Sequence, residues 1–426
     1  MIRRAVRGLL LVGLVGSAPQ VAIADRMYTG GFELNSTLTN LEVVATVAHG
    51  TISTGAGIAR TGTYGMRVLT PTTLTPTGEC LRYINTAAGG PYYARVYVWV
   101  ETAPTLETAI FAFADSTVSM DHKVTIDSSR VLRLYDATTQ IGSTTTLSTG
   151  QWYRLELLMD GAAAGGSQTL TARIDGTDFA SSTTLTLADT TDDRVCMGMN
   201  LYSTDANATG DIRFDDYGIN DTATAIGTGQ ALWPGAGSVA YAFPTAIGDN
   251  NSTTVLTGCA TNFECLDEGV TPDDATSYFA FDTSGDIVEV EVQDSSTIGI
   301  GGSDTITLVA VHGRLANDGS ANSNWTARVK KVSGGTVASG NTAAFNSVAW
   351  VTNDDGEPHT QRLMTYLDPD AGAWTPSTIT SMQIGATTSD VAPNPFITMF
   401  WAVVEFVPAA GGATGHDRTG LLGVIR

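Results

Sequence analysis

The stretch YYARVYVWV, residues 92–100, decides the fold class. From Ala94 to Val100 every second residue is small or aliphatic, and the residues between them are an arginine and two aromatic residues. Successive side chains of a β-strand point to opposite faces of the sheet, so this alternation predicts a half-buried strand.

The same alternation recurs along the chain, interrupted by Gly, Asn, Asp and Thr, which favour turns. No amphipathic helical stretch lies between the predicted strands, which favours large antiparallel sandwiches of the jelly-roll kind. The fold class is therefore predicted as all-β, with two tandem antiparallel β-sandwich (jelly-roll-like) domains. Besides 92–100, strands are predicted at 42–47, 65–69, 79–84, 109–114, 123–126, 131–135, 152–159, 170–174, 194–201, 211–219, 288–292, 305–314, 325–332, 362–366, 381–386 and 397–407.

The length of 426 residues exceeds what one hydrophobic core usually holds, which favours two domains. A run rich in Ala, Thr and Gly divides the strands into two series and has the composition of a flexible linker. The predicted segments are a first sandwich at 25–221, a linker at 222–237, a second sandwich at 238–408 and a Gly-rich tail at 409–426.

Residues 1–24 admit two interpretations. Three arginines precede an apolar run at 8–15, and Ala22-Ile23-Ala24 forms a small-x-small cleavage site, as in a secretory signal. Alternatively the gene start is assigned too early, and Val21 stands for the true initiation codon. No later apolar run approaches the roughly 20 residues of a membrane helix, so no membrane span is expected.

The net charge of −21, from 43 acidic and 22 basic side chains, repels phosphate backbones and anionic lipid headgroups. A nucleic-acid partner is therefore not expected.

The four cysteines fall two to each domain, which permits one disulfide in each. Four unpaired thiols remain the alternative, and the spacing fits no zinc pattern. The cysteines are Cys80, Cys196, Cys259 and Cys265.

Few carboxylates suggest chemistry. Glu289 and Glu291, with Asp294 beyond, resemble the paired acids of glycanases only superficially, since they lie opposite a valine face and are expected on the solvent side. Asp215 and Asp216 alone provide too few oxygen ligands for calcium and are interpreted as a capped strand end.

The histidines are scattered, and no phosphate-binding loop, dinucleotide fingerprint or nucleophile elbow is present in the sequence. We therefore predict no catalytic residue, no metal and no cofactor. The histidines are His49, His122, His312, His359 and His416.

Two groups of residues are candidates for binding. Tyr93, Arg95, Tyr97 and Trp99 share a face for which packing in the core or between the sheets is the favoured interpretation, with stacking on sugar rings as the alternative. The strand at 397–407 is apolar on both faces, which indicates a central strand or an interface. The candidate subunit interface consists of Met399, Trp401 and Val403.

Three segments that close the first domain carry a resemblance. They read QWYRLELLMDG at 151–161, LTARIDGTDF at 170–179 and DIRFDDYGIND at 211–221. Their order resembles the closing strands of concanavalin A-like and laminin-G-like sandwiches, over about residues 27–220. Lectins, glycanases and structural modules share that fold, so the resemblance implies a scaffold and no particular activity.

The second domain resembles a module of virion structural proteins from tailed bacteriophages. The resemblance rests on ECLDEGVTPDDATSYFAFDTSGDIVEVEV at 264–292, LVAVHGRLANDGSANSNWTARVKK at 308–331 and YLDPDAGAWTPSTITSMQIGATTSD at 366–390. The opening DRMYTGGFELNS at 25–36 is similar to the start of phage proteins with such sandwiches.

This resemblance implies a non-catalytic structural or display protein of the tail or capsid surface. Its expected partners are other virion subunits, and it is expected to form a homo-oligomer assembled in the bacterial host cytoplasm. The alternative is a glycan-binding adhesion module, virion-borne or secreted, with a host-surface glycan as partner. An exported polysaccharide-degrading enzyme is the third hypothesis.

Overall fold

The computed structural model describes most of the two predicted domains. The leader at 1–24, the predicted strand at 42–47 and most of the linker and tail lie outside the described residues. The described residues are 25–34, 52–54, 57–70, 77–82, 90–115, 119–192, 194–201, 208–221, 233–252, 255–266, 274–319, 323–340, 342–345, 350–352, 363–389 and 394–409.

The first sandwich consists of two antiparallel sheets. One has the order β12-β11-β10-β5-β14-β3-β2, with β1 also paired to β14, and the other has the order β4-β13-β6-β7-β8-β9. The strands are β1 Asp25–Gly30, β2 Ile52–Thr54, β3 Met66–Thr70, β4 Thr77–Arg82, β5 Tyr92–Thr102, β6 Thr108–Ala114, β7 His122–Ile126, β8 Val131–Asp136, β9 Thr139–Thr146, β10 Trp152–Asp160, β11 Gln168–Ile174, β12 Thr177–Leu185, β13 Arg194–Met199 and β14 Gly210–Asp221.

The second sandwich also has two antiparallel sheets. Their orders are β17-β18-β27-β20-β24, with β15 on β27 and β25 on β20, and β16-β19-β26-β21-β22, with β23 on β21. The strands are β15 Ser238–Ala242, β16 Pro244–Asn251, β17 Val255–Thr257, β18 Tyr278–Ala280, β19 Ile287–Val292, β20 Thr305–Asn317, β21 Ser323–Lys330, β22 Val337–Ser339, β23 Ala343–Phe345, β24 Val351–Thr352, β25 Leu363–Thr365, β26 Gln383–Thr387 and β27 Pro395–Val407.

Two short helical turns complete the second sandwich: a 3-10 turn at Asp274–Thr276 and α1 at Pro376–Thr380. Neither is long enough to cross a membrane, and the described part of the chain contains no helix that could. The predicted fold class, two tandem all-β sandwiches, is confirmed.

The alternation of apolar and polar side chains along the strands explains where each hydrophobic core lies. The aliphatic face of β5, including Val96 and Val98, is fully buried and packs in one cluster with Phe111 and Phe113 of the opposite sheet. In the second sandwich Phe400 of β27 and Trp325 of β21 belong to the corresponding cluster, with ring centroids 6.4 Å apart. Each sandwich therefore buries its own core between its two sheets.

A third apolar cluster joins the sandwiches. Met399, Trp401 and Val403 of β27 are buried within the single chain, in a cluster that includes Leu34 of the first sandwich. A Cβ atom added at Gly31 of that sandwich would lie 3.3 Å from Val239 of β15. The predicted subunit interface is therefore corrected, because contacts within one chain already bury these three side chains.

An ionic cluster lies beside this apolar contact. Oε1 of Glu405, on β27, accepts a hydrogen bond from Arg95 Nη1 of β5 at 2.8 Å. Its Oε2 accepts a hydrogen bond from Thr29 of β1 at 3.3 Å and lies 2.7 Å from Arg26 Nη1. All the charged groups are buried. Burial alone would raise the pKa of Glu405, but the adjacent Arg26 and Arg95 outweigh it, and the pKa is lowered.

Two glycines allow the charged groups to meet. A Cβ atom at Gly218 of β14 would lie 2.2 Å from Arg26 Nη1, and one at Gly237 would lie 2.6 Å from both Arg95 Nη1 and Glu405 Oε1. The close approach of backbone and guanidinium groups at these positions requires the absence of a side chain.

Glu405→Gln is expected to lower the free energy of unfolding by about 3 kcal/mol or more, because it leaves two buried guanidinium groups without their carboxylate. Urea denaturation followed by tryptophan fluorescence measures the change. Glu291→Gln is the matched control, since Glu291 is exposed on β19 of the same domain. Equal unfolding midpoints for the two variants would contradict this account of the interface.

Candidate functional site

Most of the predicted aromatic row is covered. Tyr93 packs edge-on against Trp233, with ring centroids 5.1 Å apart, and Arg95 pairs with Glu405. The guanidinium of Arg60 lies 3.6 Å from the centroid of the Tyr97 ring. Three of the four side chains are buried inside the molecule, as the packing interpretation predicts, so the row as a whole is not available to stack on sugars.

The end of the predicted linker contributes to this cover. Gly235 N donates to Glu156 of β10 at 3.2 Å, and the Gly235 carbonyl accepts from Arg95 at 3.1 Å. The ring of Trp233 lies under the Arg173 guanidinium, 3.9 Å from its carbon. Residues 233–237 are thus held against the first sandwich, whereas composition alone predicted a flexible segment.

Trp99 is the member of the row that stays half-buried at the surface. It lies directly opposite Trp152 on β10 and Arg213 on β14 in the strand register. The two indole centroids are 5.7 Å apart with an angle of 58° between the rings. Trp99 Nε1 donates to Glu101 at 2.9 Å, and Arg213 donates to the same oxygen at 3.1 Å.

These four residues, Trp99, Trp152, Arg213 and Glu101, are called the open face below. Trp152 and Arg213 are not among the binding residues predicted from the sequence. The alternation of apolar and polar residues within 152–159 and 211–219 indicates that both side chains point away from the core. It does not indicate that they lie beside Trp99, because that depends on the strand order β10-β5-β14. The open face offers two apolar rings beside a paired cation and carboxylate.

The suspected acid pair does not form a catalytic arrangement. Glu289 is buried and accepts from Lys330 at 2.6 Å, from Arg328 at 3.3 Å and from Asn250 at 2.5 Å. Glu291 is exposed, as expected for a solvent-facing strand position. The expectation that Glu289 also faces solvent is wrong, because cations two strands away in the sheet reach across to it.

Asp215 and Asp216 have structural partners. Asp215 accepts the backbone N–H of Arg60 at 2.6 Å, and Asp216 accepts from Thr61 Oγ1 and from Val239 N, both at 2.7 Å. Burial, followed by the charge of Asp216, raises the pKa of Asp215 well above its ordinary value. The pair therefore holds the loop at 60–61 and strand β15 in place, and the described residues contain no metal-ligating cluster.

Both domains contain disulfide-bonded cysteine. Cys259 and Cys265 are bridged to each other, and Cys196 of β13 is disulfide-bonded and lies opposite Cys80 in the register with β4. This favours the bridged interpretation over free thiols.

The resemblance motifs of the second sandwich are structural elements. Asp274 forms a bidentate ion pair with Arg314 at 2.5 and 2.8 Å. In the Asp-Pro turn, Asp368 accepts the N–H of Asp370 and of Gly372, each at 2.9 Å, and the buried Trp374 donates to Thr365 at 2.9 Å.

The buried histidine His122 lies between two carboxylates. Its Nδ1 is 2.6 Å from Asp192 and its Nε2 is 3.4 Å from Asp136. Burial alone would lower its pKa, but the two carboxylates raise it to about 9. His312 stacks on Trp401 at 5.4 Å, while His49, His359 and His416 lie outside the described residues.

No family model matches the chain, and no curated protein matches it. Among solved structures it is similar to a cellulose-induced protein, Cip1, with 17% identity, a TM-score of 0.35 and coverage of 45% of this chain and 96% of that one. Domain 4 of the arabinanase AbnA from Geobacillus stearothermophilus, solved with arabinotriose, is 19% identical over 48% and 95% of the two chains, with a TM-score of 0.33.

The binding domain of Paraclostridial Mosquitocidal Protein 1 is 11% identical over 66% and 77% of the two chains, with a TM-score of 0.33. At these TM-scores the likenesses say nothing about ligand or activity.

Stability is expected to depend on His122 above neutral pH. Because its pKa is higher in the folded chain, its stabilisation is fully present below the unfolded pKa near 6.5 and is lost as pH rises through about 9. The free energy of unfolding should fall by about 3 kcal/mol across this window. Denaturation at a series of pH values measures it.

This decrease in the free energy of unfolding with rising pH should disappear in His122→Gln. It should persist in His312→Gln, which leaves His122 and its two carboxylates in place. An unchanged slope in His122→Gln would rule out this assignment.

Proposed function

We propose that this chain is a non-catalytic display protein of a phage particle that binds a host-surface glycan through the open face of its first sandwich. The virion setting rests on the resemblance of the second sandwich and of residues 25–36 to phage structural proteins. The half-buried pair of Trp99 and Trp152 beside Arg213 and Glu101 is the observation that carries the binding function.

The chemistry of the open face suits a sugar. An indole ring offers a flat apolar surface to the C–H face of a pyranose, while charged hydrogen-bonding groups at its edge can bind hydroxyls. The 58° angle between the rings means that one ring can face a sugar while the other closes one side of it.

The interface between the sandwiches supports a display role. Arg26 and Arg95 of the first sandwich share the buried Glu405 of the second, so the two domains are tied by charged contacts as well as by apolar packing. A fixed orientation presents the open face at a constant angle to the rest of a particle. Self-association through other surfaces is part of this proposal.

Trp99→Ala is expected to weaken binding to a glycan array by about tenfold or more, because it removes the central ring of the open face. Leu106→Ala is the matched control, since Leu106 is exposed at 46% and lies outside the open face. Binding of Trp99→Ala equal to wild type, or no binding of wild type to any glycan, would argue against the glycan function.

The virion setting has its own test. The gene is expected beside capsid and tail genes, and mass spectrometry of purified particles should detect the protein. A solitary gene whose product begins at Asp25 after processing would instead support the secreted alternative.

A further inference from the structure

A cleft between the two sandwiches, separate from the open face, has the size and chemistry of a small-molecule site. Its volume is about 540 Å³. The first sandwich contributes the loop at 57–64 and Glu33, and the second contributes Tyr241, Phe243, Gln293 and the turn at 297–299. Small-molecule sites occupy about 300–1,000 Å³ and are frequent at domain interfaces.

The rings that line the cleft provide apolar surface. Tyr64 and Phe243 are half-buried, and Tyr241 is 5% exposed and packs in the apolar cluster between the domains. Hydroxyl and amide groups accompany them, from Thr63, Thr297 and Gln293. A ligand with both an apolar face and several hydroxyls matches this lining.

Both charged side chains that line the cleft, Glu33 and Arg60, are bound to other groups of the protein. Glu33 accepts hydrogen bonds from the backbone N–H groups of Thr63 and Tyr64 at 2.9 to 3.1 Å. Arg60 is paired with Asp216 at 2.5 Å. One carboxylate is too few for a calcium ion, and Glu33 repels phosphate and other anions, so the lining favours a neutral ligand.

The rim of the cleft is open to solvent. A Cβ atom added at Gly57 or at Gly299 would meet no atom of the described residues within 4 Å, and both glycines are exposed. Thr297, next to Gly299 on this rim, is exposed. These exposed residues place one side of the cleft at the surface of the described structure.

From these observations we propose that the interdomain cleft binds a neutral mono- or disaccharide. This second site does not rest on the open face, and it forms only when the two sandwiches are docked.

Isothermal titration of the full chain with cellobiose, lactose and diacetylchitobiose tests the proposal. At least one disaccharide is expected to bind wild type, and Thr297→Trp, which fills the cleft from its rim, should weaken that binding by about tenfold or more. Ser296→Trp is the matched control, because Ser296 is an exposed neighbour that does not line the cleft. Equal thermal midpoints establish that both variants fold.

Trp99→Ala separates the two sites. Binding that persists in Trp99→Ala and is lost in Thr297→Trp supports the cleft. Binding that is lost in Trp99→Ala and persists in Thr297→Trp overturns the cleft proposal and assigns the disaccharide to the open face. Absence of binding by wild type to all three disaccharides also overturns it.

Discussion

The arrangement of the two sandwiches depends on the buried carboxylate of Glu405 and the two guanidinium groups that share it. Arg26 lies on the first described strand and Glu405 on the last, so the contact joins the two ends of the described fold. Buried ion pairs often add little net stability, because desolvation offsets their attraction. We infer that the cluster selects one domain orientation, since this orientation brings Glu405 to both guanidinium groups.

This domain orientation determines which residues of the first sandwich remain accessible to a ligand. Arg95 is drawn to Glu405, and residues 233–237 then cover Tyr93 and Tyr97. Trp99, farther along the same strand, stays half-buried and meets Trp152. The same docking places the loop at 57–64 opposite Phe243 and Gln293, which creates the cleft. The interface between the sandwiches thus covers part of the aromatic row and also forms the cleft.

Alternation in the sequence predicts the fold well, because burial of one strand face is a local property. It places Val96 and Val98 in a core and Tyr93 and Trp99 together on the opposite face. It does not predict which of these outer residues is covered, since Glu405 lies 310 positions from Arg95 in sequence. The prediction for Glu289 is wrong for the same reason: its partner Lys330 belongs to a strand that is distant in sequence.

A distance distribution between the domains tests most directly whether the sandwiches form one rigid body. Nitroxide labels on cysteines introduced at the exposed positions Gln140 and Thr245 report it by pulsed electron resonance, and the described native cysteines are not free to react. We expect a single narrow distribution of distances that is unchanged by salt, because the ionic cluster is buried. A broad distribution, or one that shifts with ionic strength, would contradict it.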